Sequence, residues 1–343
     1  MRKNQVTITD LARELNVSPS TISRALNNSP FISEERKRVI LDLAAKMKYS
    51  PNQLALSLLN KRTKILGVVV PEITSYYFST AINGIQDKVG SSGYKLMISQ
   101  SNESFEEEIR ILEAMALVRV DGFLISPSSN TVNFDHLEKL RDSGFPLVIF
   151  DRDCLGFDID KVVVDDYSGA LQAVEYLIQT GCKRIAHISG STNLSTAKHR
   201  KNGYIDALLK NNFEVLEELI VCGEDSSSES GVASMKKLLE LEELPDAVFC
   251  YNDAIAIGAM SVIRENGIKI PDQISLVGFD DEPYSSYFKP SLTSVWQPIY
   301  DLGLLSAKIL LDKLNTDVED MKYRFEVLKP ELVIRDSSRK LKE

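Results

Sequence analysis

Thr7-Ile8-Thr9-Asp10-Leu11-Ala12-Arg13-Glu14-Leu15-Asn16-Val17-Ser18-Pro19-Ser20-Thr21-Ile22-Ser23-Arg24-Ala25-Leu26-Asn27 reads as two short helices joined by a tight turn. Thr7 is placed to cap the first helix, with the Asp10 carboxylate three residues later. Ile8, Leu11, Ala12 and Leu15 recur at helical spacing and give one apolar face. Asn16 tolerates the left-handed conformation that such a turn needs. Ser18 and Pro19 then restart a helix as N-cap and first helical residue. Val17, Ile22, Ala25 and Leu26 can close a small core. That leaves Pro19, Ser20, Thr21, Ser23 and Arg24 on the exposed side, near the helix N-terminus. Asn27-Asn28-Ser29-Pro30 reads as a loop, and Ser33-Glu34-Glu35 as the start of a third helix carrying Val39, Ile40, Leu43, Ala44 and Met47. A helix-turn-helix lays its second helix in the DNA major groove and reads bases with the positions that Pro19, Ser20 and Arg24 occupy here. The pattern by itself also fits any small helical bundle.

Charge favours DNA. Residues 1–64 carry 12 Lys and Arg against 5 Asp and Glu, a net +7, whereas the remainder carries 28 against 44, a net −16. A basic head on an acidic body neutralises phosphates with the head and keeps the rest of the chain off the duplex.

The stretches 7–12 and 17–27, then Tyr49-Ser50-Pro51-Asn52 with Ala55, Leu58 and Lys61, resemble the lactose-repressor (LacI/GalR) family. The resemblance implies that residues 51–60 form a hinge helix lying in the minor groove at the operator centre, paired with its dimer mate. Leu58 would lever between base pairs and Ala55 pack close to the groove. It also adds Thr7, Ser18, Asn27 and Asn52 to the DNA contacts. The physics agrees: a helix of about nine residues is too short to be stable alone in water, and an apolar wedge can unstack a base step and kink the duplex. The alternative is that Leu54, Leu58 and Leu59 pack a helix onto the body.

At 343 residues the chain exceeds one ordinary domain, and the 280 or so after the head suffice for two α/β lobes. The N-terminus Met1-Arg2-Lys3-Asn4-Gln5 shows no secretory signal, and no apolar run is long enough to span a membrane, so a cytoplasmic protein without membrane attachment is expected. Cys154, Cys182, Cys222 and Cys250, and His136, His187 and His199, lack ligand spacing. The cysteines are expected to be free and buried, with no metal and no cofactor.

From Lys64 onward, apolar runs at 65–70, 94–99, 122–126, 146–150, 162–164, 184–189, 219–222, 247–251 and 274–279 alternate with helical patterns such as 105–117, 170–180, 231–241 and 254–266. Short apolar strands separated by helices mean parallel sheets covered on both faces. A break near 151–166 divides them into two doubly wound lobes with a cleft between. Val120-Asp121-Gly122, Asp151-Arg152, residues 252–259 and residues 275–280 extend the resemblance to the family's core, of periplasmic-binding-protein type. On that pattern the head is 1–50, the hinge and linker 51–63, and the core 64–343. Lobe 1 is expected at 64–163 with 293–327, and lobe 2 at 164–290 with 328–340.

Ligands of such sheets bind at the carboxyl ends of strands. Asp151, Asn252 and Asp280 lie there, Arg200 starts a helix after the loop 190–195, and Tyr77 and Phe78 open the helix after the first strand. Donors and acceptors in pairs beside an aromatic face suit a sugar. Asn252 and Asp280 also fit helix or turn caps, Asp151 a partner for Arg152, and Tyr77 and Phe78 core aromatics. The resemblance assigns Arg200, Asp280, Asn252, Thr196 and Tyr77–Phe78 to effector-contacting positions. Leu194 stands where purine-responsive members place a basic residue, and Asp225 where an aromatic often stacks. Both departures favour a neutral, polyhydroxylated ligand over a purine.

The expected protein is a homodimeric transcription regulator, a repressor rather than an enzyme, with double-stranded DNA and a sugar-like effector as partners. A two-fold dimer implies a pseudo-palindromic operator. The charged tail 336–343 is too short for a tetramerisation zipper. Whether effector releases or assists DNA binding stays open. A transport solute-binding protein would lack the basic head. An enzyme would need a dinucleotide or phosphate loop or a nucleophile elbow, and the sequence has none.

Overall fold

A computed structural model describes residues 6–49, 62–131, 133–154, 156–315 and 323–341. The chain divides into two units, residues 1–64 and 65–343.

The first unit holds α1 (Ile8–Glu14), α2 (Pro19–Leu26) and α3 (Glu34–Lys46). Thr7 and Asp10 close a capping box: the Asp10 N–H donates to Thr7 Oγ1 at 3.3 Å, and the Thr7 N–H to Asp10 Oδ2 at 2.9 Å. Asn16 takes φ 49° in the turn. Ser18 caps α2, accepting from the Thr21 N–H at 3.2 Å. Leu11, Ala12, Ile22, Ala25, Ile40 and Ala44 form the buried core. Val39 is half exposed, because the stripe α3 buries runs through Lys37, Ile40 and Ala44. Thr7→Ala is expected to cost the head about 1 kcal/mol. Hydrogen exchange at the amides of α1 would show it, with the core amides unchanged.

The second unit contains two six-stranded sheets. The first comprises β1 (Ile65–Val70), β2 (Lys95–Gln100), β3 (Gly122–Ile125), β4 (Leu147–Phe150), β5 (Asp160–Val164) and β11 (Phe325–Leu328), in the order β11-β5-β4-β3-β1-β2. The second comprises β6 (Ile185–Ser189), β7 (Ile220–Cys222), β8 (Ala247–Cys250), β9 (Ser275–Asp280), β10 (Thr293–Trp296) and β12 (Glu331–Val333), in the order β12-β10-β9-β8-β6-β7. Pairing is parallel except between β10 and β12. The helices α4 (Tyr76–Gly90), α5 (Phe105–Leu117), α6 (Asp135–Asp142) and α11 (Ile299–Asn315) belong to the first lobe, and α7 (Asp166–Gln179), α8 (Ser195–Lys210), α9 (Ser228–Leu239) and α10 (Asp253–Glu265) to the second.

Three details depart from the sequence reading. Residues 293–296 were expected to begin the return to lobe 1. They pair instead with β9 in the second sheet, where Ser294 donates to the buried Asp253 and the Thr293 N–H to Ser337. The return begins only at Gln297. Val164 and Leu328, assigned to lobe 2, end strands of the first sheet. Cys222 is exposed, since it ends the edge strand β7, whereas the other three cysteines are buried; all four are free thiols.

The chain passes between the sheets through very short segments: Asp165 between β5 and α7, Gln297-Pro298 between β10 and α11, and Lys329-Pro330 between β11 and β12. Inside each lobe, helices meet at glycine. A Cβ on Gly258 of α10 would lie 2.0 Å from the Ser228 carbonyl oxygen, and one on Gly303 of α11 would lie 2.0 Å from that of Ala81 in α4.

Candidate functional site

In the head, Thr7, Ser18, Pro19, Ser20, Arg24 and Asn27 are exposed, and Thr21 and Ser23 partly so. Ile22 and Ala25 anchor the opposite face of α2. The Ser18 hydroxyl lies 2.8 Å from both the Ser20 and Thr21 hydroxyls, which gathers small polar groups at the N-terminus of α2. The positive end of the helix there suits a phosphate. Asn52, Ala55 and Leu58 lie outside the described residues.

In the core, a cavity of about 680 Å³ opens at the carboxyl ends of the strands, and Tyr77, Phe78, Asp151, Arg200, Asn252 and Asp280 all line it. Asp151 directly follows β4 and Asp280 ends β9, both at positive φ (69° and 104°). This backbone conformation turns each chain out of its sheet at the strand end. Arg200, on the second turn of α8, is buried. Its Nε donates to Asp166 Oδ1 at 2.7 Å and its Nη1 to the Tyr251 carbonyl oxygen at 2.6 Å. The guanidinium lies 3.7 Å from the centre of the Phe279 ring and 4.6 Å from that of Tyr251, with Asp280 Oδ1 at 3.6 Å from Nη1. Burial disfavours its charge, but Asp166, Tyr251 and Asp280 outweigh this and hold it ionised.

The carboxylates are short of counter-charge. Burial lifts Asp166 to about 6 even against Arg200. Burial likewise raises Asp151, and raises Asp280 well above the usual carboxylate range. Asp151 accepts from the Ser126 hydroxyl at 3.2 Å, and Asp280 from Gln297 Nε2 at 2.6 Å. Perturbed carboxylates converging in a cleft make this cavity the candidate binding site.

Asn252 serves two purposes. It lines the cavity and also caps α10, with Oδ1 accepting from the Ile255 N–H at 2.9 Å and Nδ2 donating to the Ser226 carbonyl at 3.0 Å. Thr196 is buried behind the wall, its hydroxyl 2.9 Å from that of Tyr251, so it positions Tyr251 rather than facing the cavity. Leu194 and Asp225, the two departures from the purine pattern, both line the cavity.

Sequence reasoning missed Tyr251, Asp166 and the Arg152–Glu103 pair. Tyr251 adjoins Asn252 at a strand end, so the rule that found one residue could have found the other. Arg152 donates from Nη1 and Nη2 to the two Glu103 carboxylate oxygens at 2.8 Å each, and the Ser129 N–H donates to Glu103 at 2.6 Å. Glu103 lies in a loop, where no periodicity signals it. Among the described residues, no cluster of His, Cys, Asp and Glu could hold a metal ion, and no helix is long and apolar enough to cross a membrane.

A head of three short helices with an exposed polar second helix, and a two-lobed core with a polar cleft, are the parts expected of a DNA-binding regulator. The family profile "Bacterial regulatory proteins, lacI family" matches residues 7–52, and the periplasmic binding protein-like domain matches residues 174–338. The chain is 35% identical over 340 residues to the probable HTH-type transcriptional repressor ExuR of Bacillus subtilis (strain 168), covering 98% of this chain and 99% of that protein. The solved complex of the transcriptional regulator CelR with cellobiose is similar with a TM-score of 0.73 at 28% identity, over 97% of this chain and 100% of that one. The lac repressor dimer bound to operator and the anti-inducer ONPF shares the fold with a TM-score of 0.86 at 24% identity, over 97% of this chain and 99% of that one. This chain belongs to the lacI family of DNA-binding transcriptional regulators.

Proposed function

We propose that the protein is a homodimeric repressor whose affinity for a pseudo-palindromic operator is set by a sugar-like ligand in the core cleft. The observation that carries the ligand reading is the buried Arg200, stacked on Phe279 and 3.6 Å from Asp280, in the wall of a polar cavity of about 680 Å³. That volume lies in the range of small-molecule sites. Carboxylates and guanidiniums alternating beside aromatic rings supply the paired acceptors and donors that vicinal hydroxyls require. The cellobiose-bound relative supports a carbohydrate.

Dimerisation is supported by apolar surface left open on the core. Met97 and Ile98 on the edge strand β2 are 39% and 37% exposed, and Tyr284 and Tyr287 are 62% and 82% exposed. An edge strand with exposed apolar side chains offers a second copy a surface to cover. A symmetric dimer presents two copies of α2 to two half-sites. Ligand shifts the lobes between two arrangements and moves the DNA equilibrium by its differential affinity for them, typically about 1–3 kcal/mol.

The test is selection of duplexes from a random pool by the purified chain, followed by anisotropy titration at two salt concentrations. A pseudo-palindrome is expected to emerge. Leu58→Ala is expected to weaken that duplex far more than random DNA. Enrichment of no symmetric site would sink the dimeric-operator reading, and equal losses on both duplexes would remove the wedge role of Leu58.

A further inference from the structure

A second cavity, of about 160 Å³, lies beside the cleft, and the two meet at Asp280, which lines both. Its wall carries aromatic side chains from three elements. Tyr76 is the first residue of α4, Trp296 the last of β10 and Tyr300 the second of α11. They are 36%, 39% and 40% exposed. A single exposed aromatic needs no explanation. Three gathered round one hollow, two from the first lobe and one from the second, do. The Tyr300 hydroxyl donates to Asp87 Oδ2 at 2.8 Å, which fixes that ring in place.

Polar groups complete the wall. Trp296 is the register partner of Asp280 on the neighbouring strand β9. Gln297 follows it, is only 2% exposed, and lines this cavity but not the cleft. Its Nε2 donates to Asp280 Oδ1 at 2.6 Å, and among the described residues nothing donates to its Oε1. That oxygen is not sealed into the core but stays open to the cavity. An acceptor so nearly enclosed is costly to leave without a donor. Asp301, exposed on the first turn of α11, offers two further acceptor oxygens.

We propose that the effector is an oligosaccharide of at least two rings. One ring lies in the cleft against Arg200. The next sits in the second cavity, its C–H face on Trp296 and a hydroxyl donating to Gln297. This rests on the sugar-like ligand proposed above and adds its length. An apolar cavity of about 150 Å³ takes a benzene ring, so the space suits one sugar unit. The hydrogens on the face of a pyranose carry partial positive charge, and the face of an aromatic ring is negative. The hydroxyls round the edge of the sugar then meet the acceptors of Gln297 and Asp301.

Trp296 is the only tryptophan of the chain, so its emission reports on this subsite directly. The test is titration of the full chain, followed by that emission and by calorimetry. The probes are D-glucose, D-xylose and D-mannose, and the disaccharides cellobiose, maltose, xylobiose and mannobiose. A disaccharide is expected to move the emission to shorter wavelength. It should also bind about ten-fold tighter than its own monosaccharide, the factor that one aromatic contact in the upper part of its range supplies. The monosaccharide is expected to bind without moving the emission. In Trp296→Ala the two affinities should become equal, and Trp296→Phe should restore part of the difference. Melting curves of both variants check that they fold. If a monosaccharide binds as tightly as its disaccharide, or a disaccharide binds without changing the emission, the second subsite falls and the sugar reading stands. If no probe of either length binds, both fall.

Discussion

Arg200→Ala is expected to destabilise the core by about 3–5 kcal/mol at neutral pH and to abolish any ligand-induced rise in melting temperature. The first effect follows from what the substitution leaves behind. Removing one partner of a buried ion pair strands the other charge, and the penalty is of that size. Here the stranded groups are Asp166, 2.7 Å from Nε, and Asp280, 3.6 Å from Nη1. The packing of the guanidinium against Phe279 and Tyr251 is lost as well.

The pH dependence separates charge from packing. Asp166 sits at about 6 in the folded chain, raised by burial from 3.8. The folded state therefore binds this proton more tightly than the unfolded state. A group of that kind opposes folding above its folded pKa, and the opposition fades as pH falls from about 6 towards 3.8. Without Arg200 the folded pKa climbs further, so the variant should lose most stability at pH 7.5 and much less at pH 5. Denaturant unfolding at both pH values measures this. Equal losses would show that packing, not charge, is what Arg200 contributes.

Gly258→Val is expected to cost about 3 kcal/mol or more and to broaden or split the unfolding transition. Its first added carbon would lie 2.0 Å from the Ser228 carbonyl oxygen, 2.9 Å from the Ser228 carbonyl carbon and 2.9 Å from the Val232 nitrogen. All three are backbone atoms, so no side-chain rotation relieves the clash. The helices α9 and α10 would have to separate along an interface that buries Met235, Leu238, Ile255 and Ala259. Overpacking of this kind typically costs about 1–3 kcal/mol and occasionally more. Substitution at Gly267, around which a Cβ meets nothing within 4 Å, is the control. It carries only the strain of its φ of 71°. If Gly258→Val unfolds no more easily than a Gly267→Ala protein, the close approach of the two helices is not what the glycine serves.

The head was legible because its signals are local. A cap, a left-handed Asn and a Ser-Pro restart each act within four residues, and all three stand as read. The central strands were legible because both their faces are buried, leaving runs such as 65–70 and 247–250 apolar throughout. β10 was misplaced because Thr293-Ser294 earns its position through hydroxyl bonds to Asp253 and Ser338, a contact no periodicity encodes. In the cleft, residues at strand ends were found by rule. Sequence also gave no sign that the Thr196 hydroxyl is paired with that of Tyr251. The Glu103–Arg152 pair joins residues 49 apart in sequence and was beyond reach.

The three short passages between the sheets also order events during synthesis. The first sheet gains its last strand only at Phe325–Leu328, and the second only at Glu331–Val333. The α11 segment that completes the first lobe's core ends at Asn315. A nascent chain therefore exposes all three helices of the head long before either sheet of the core is complete. At about 5–20 residues per second the interval is roughly 15–55 s. A polypeptide released between Tyr49 and Val333 would carry all three helices of the head with the second sheet unfinished.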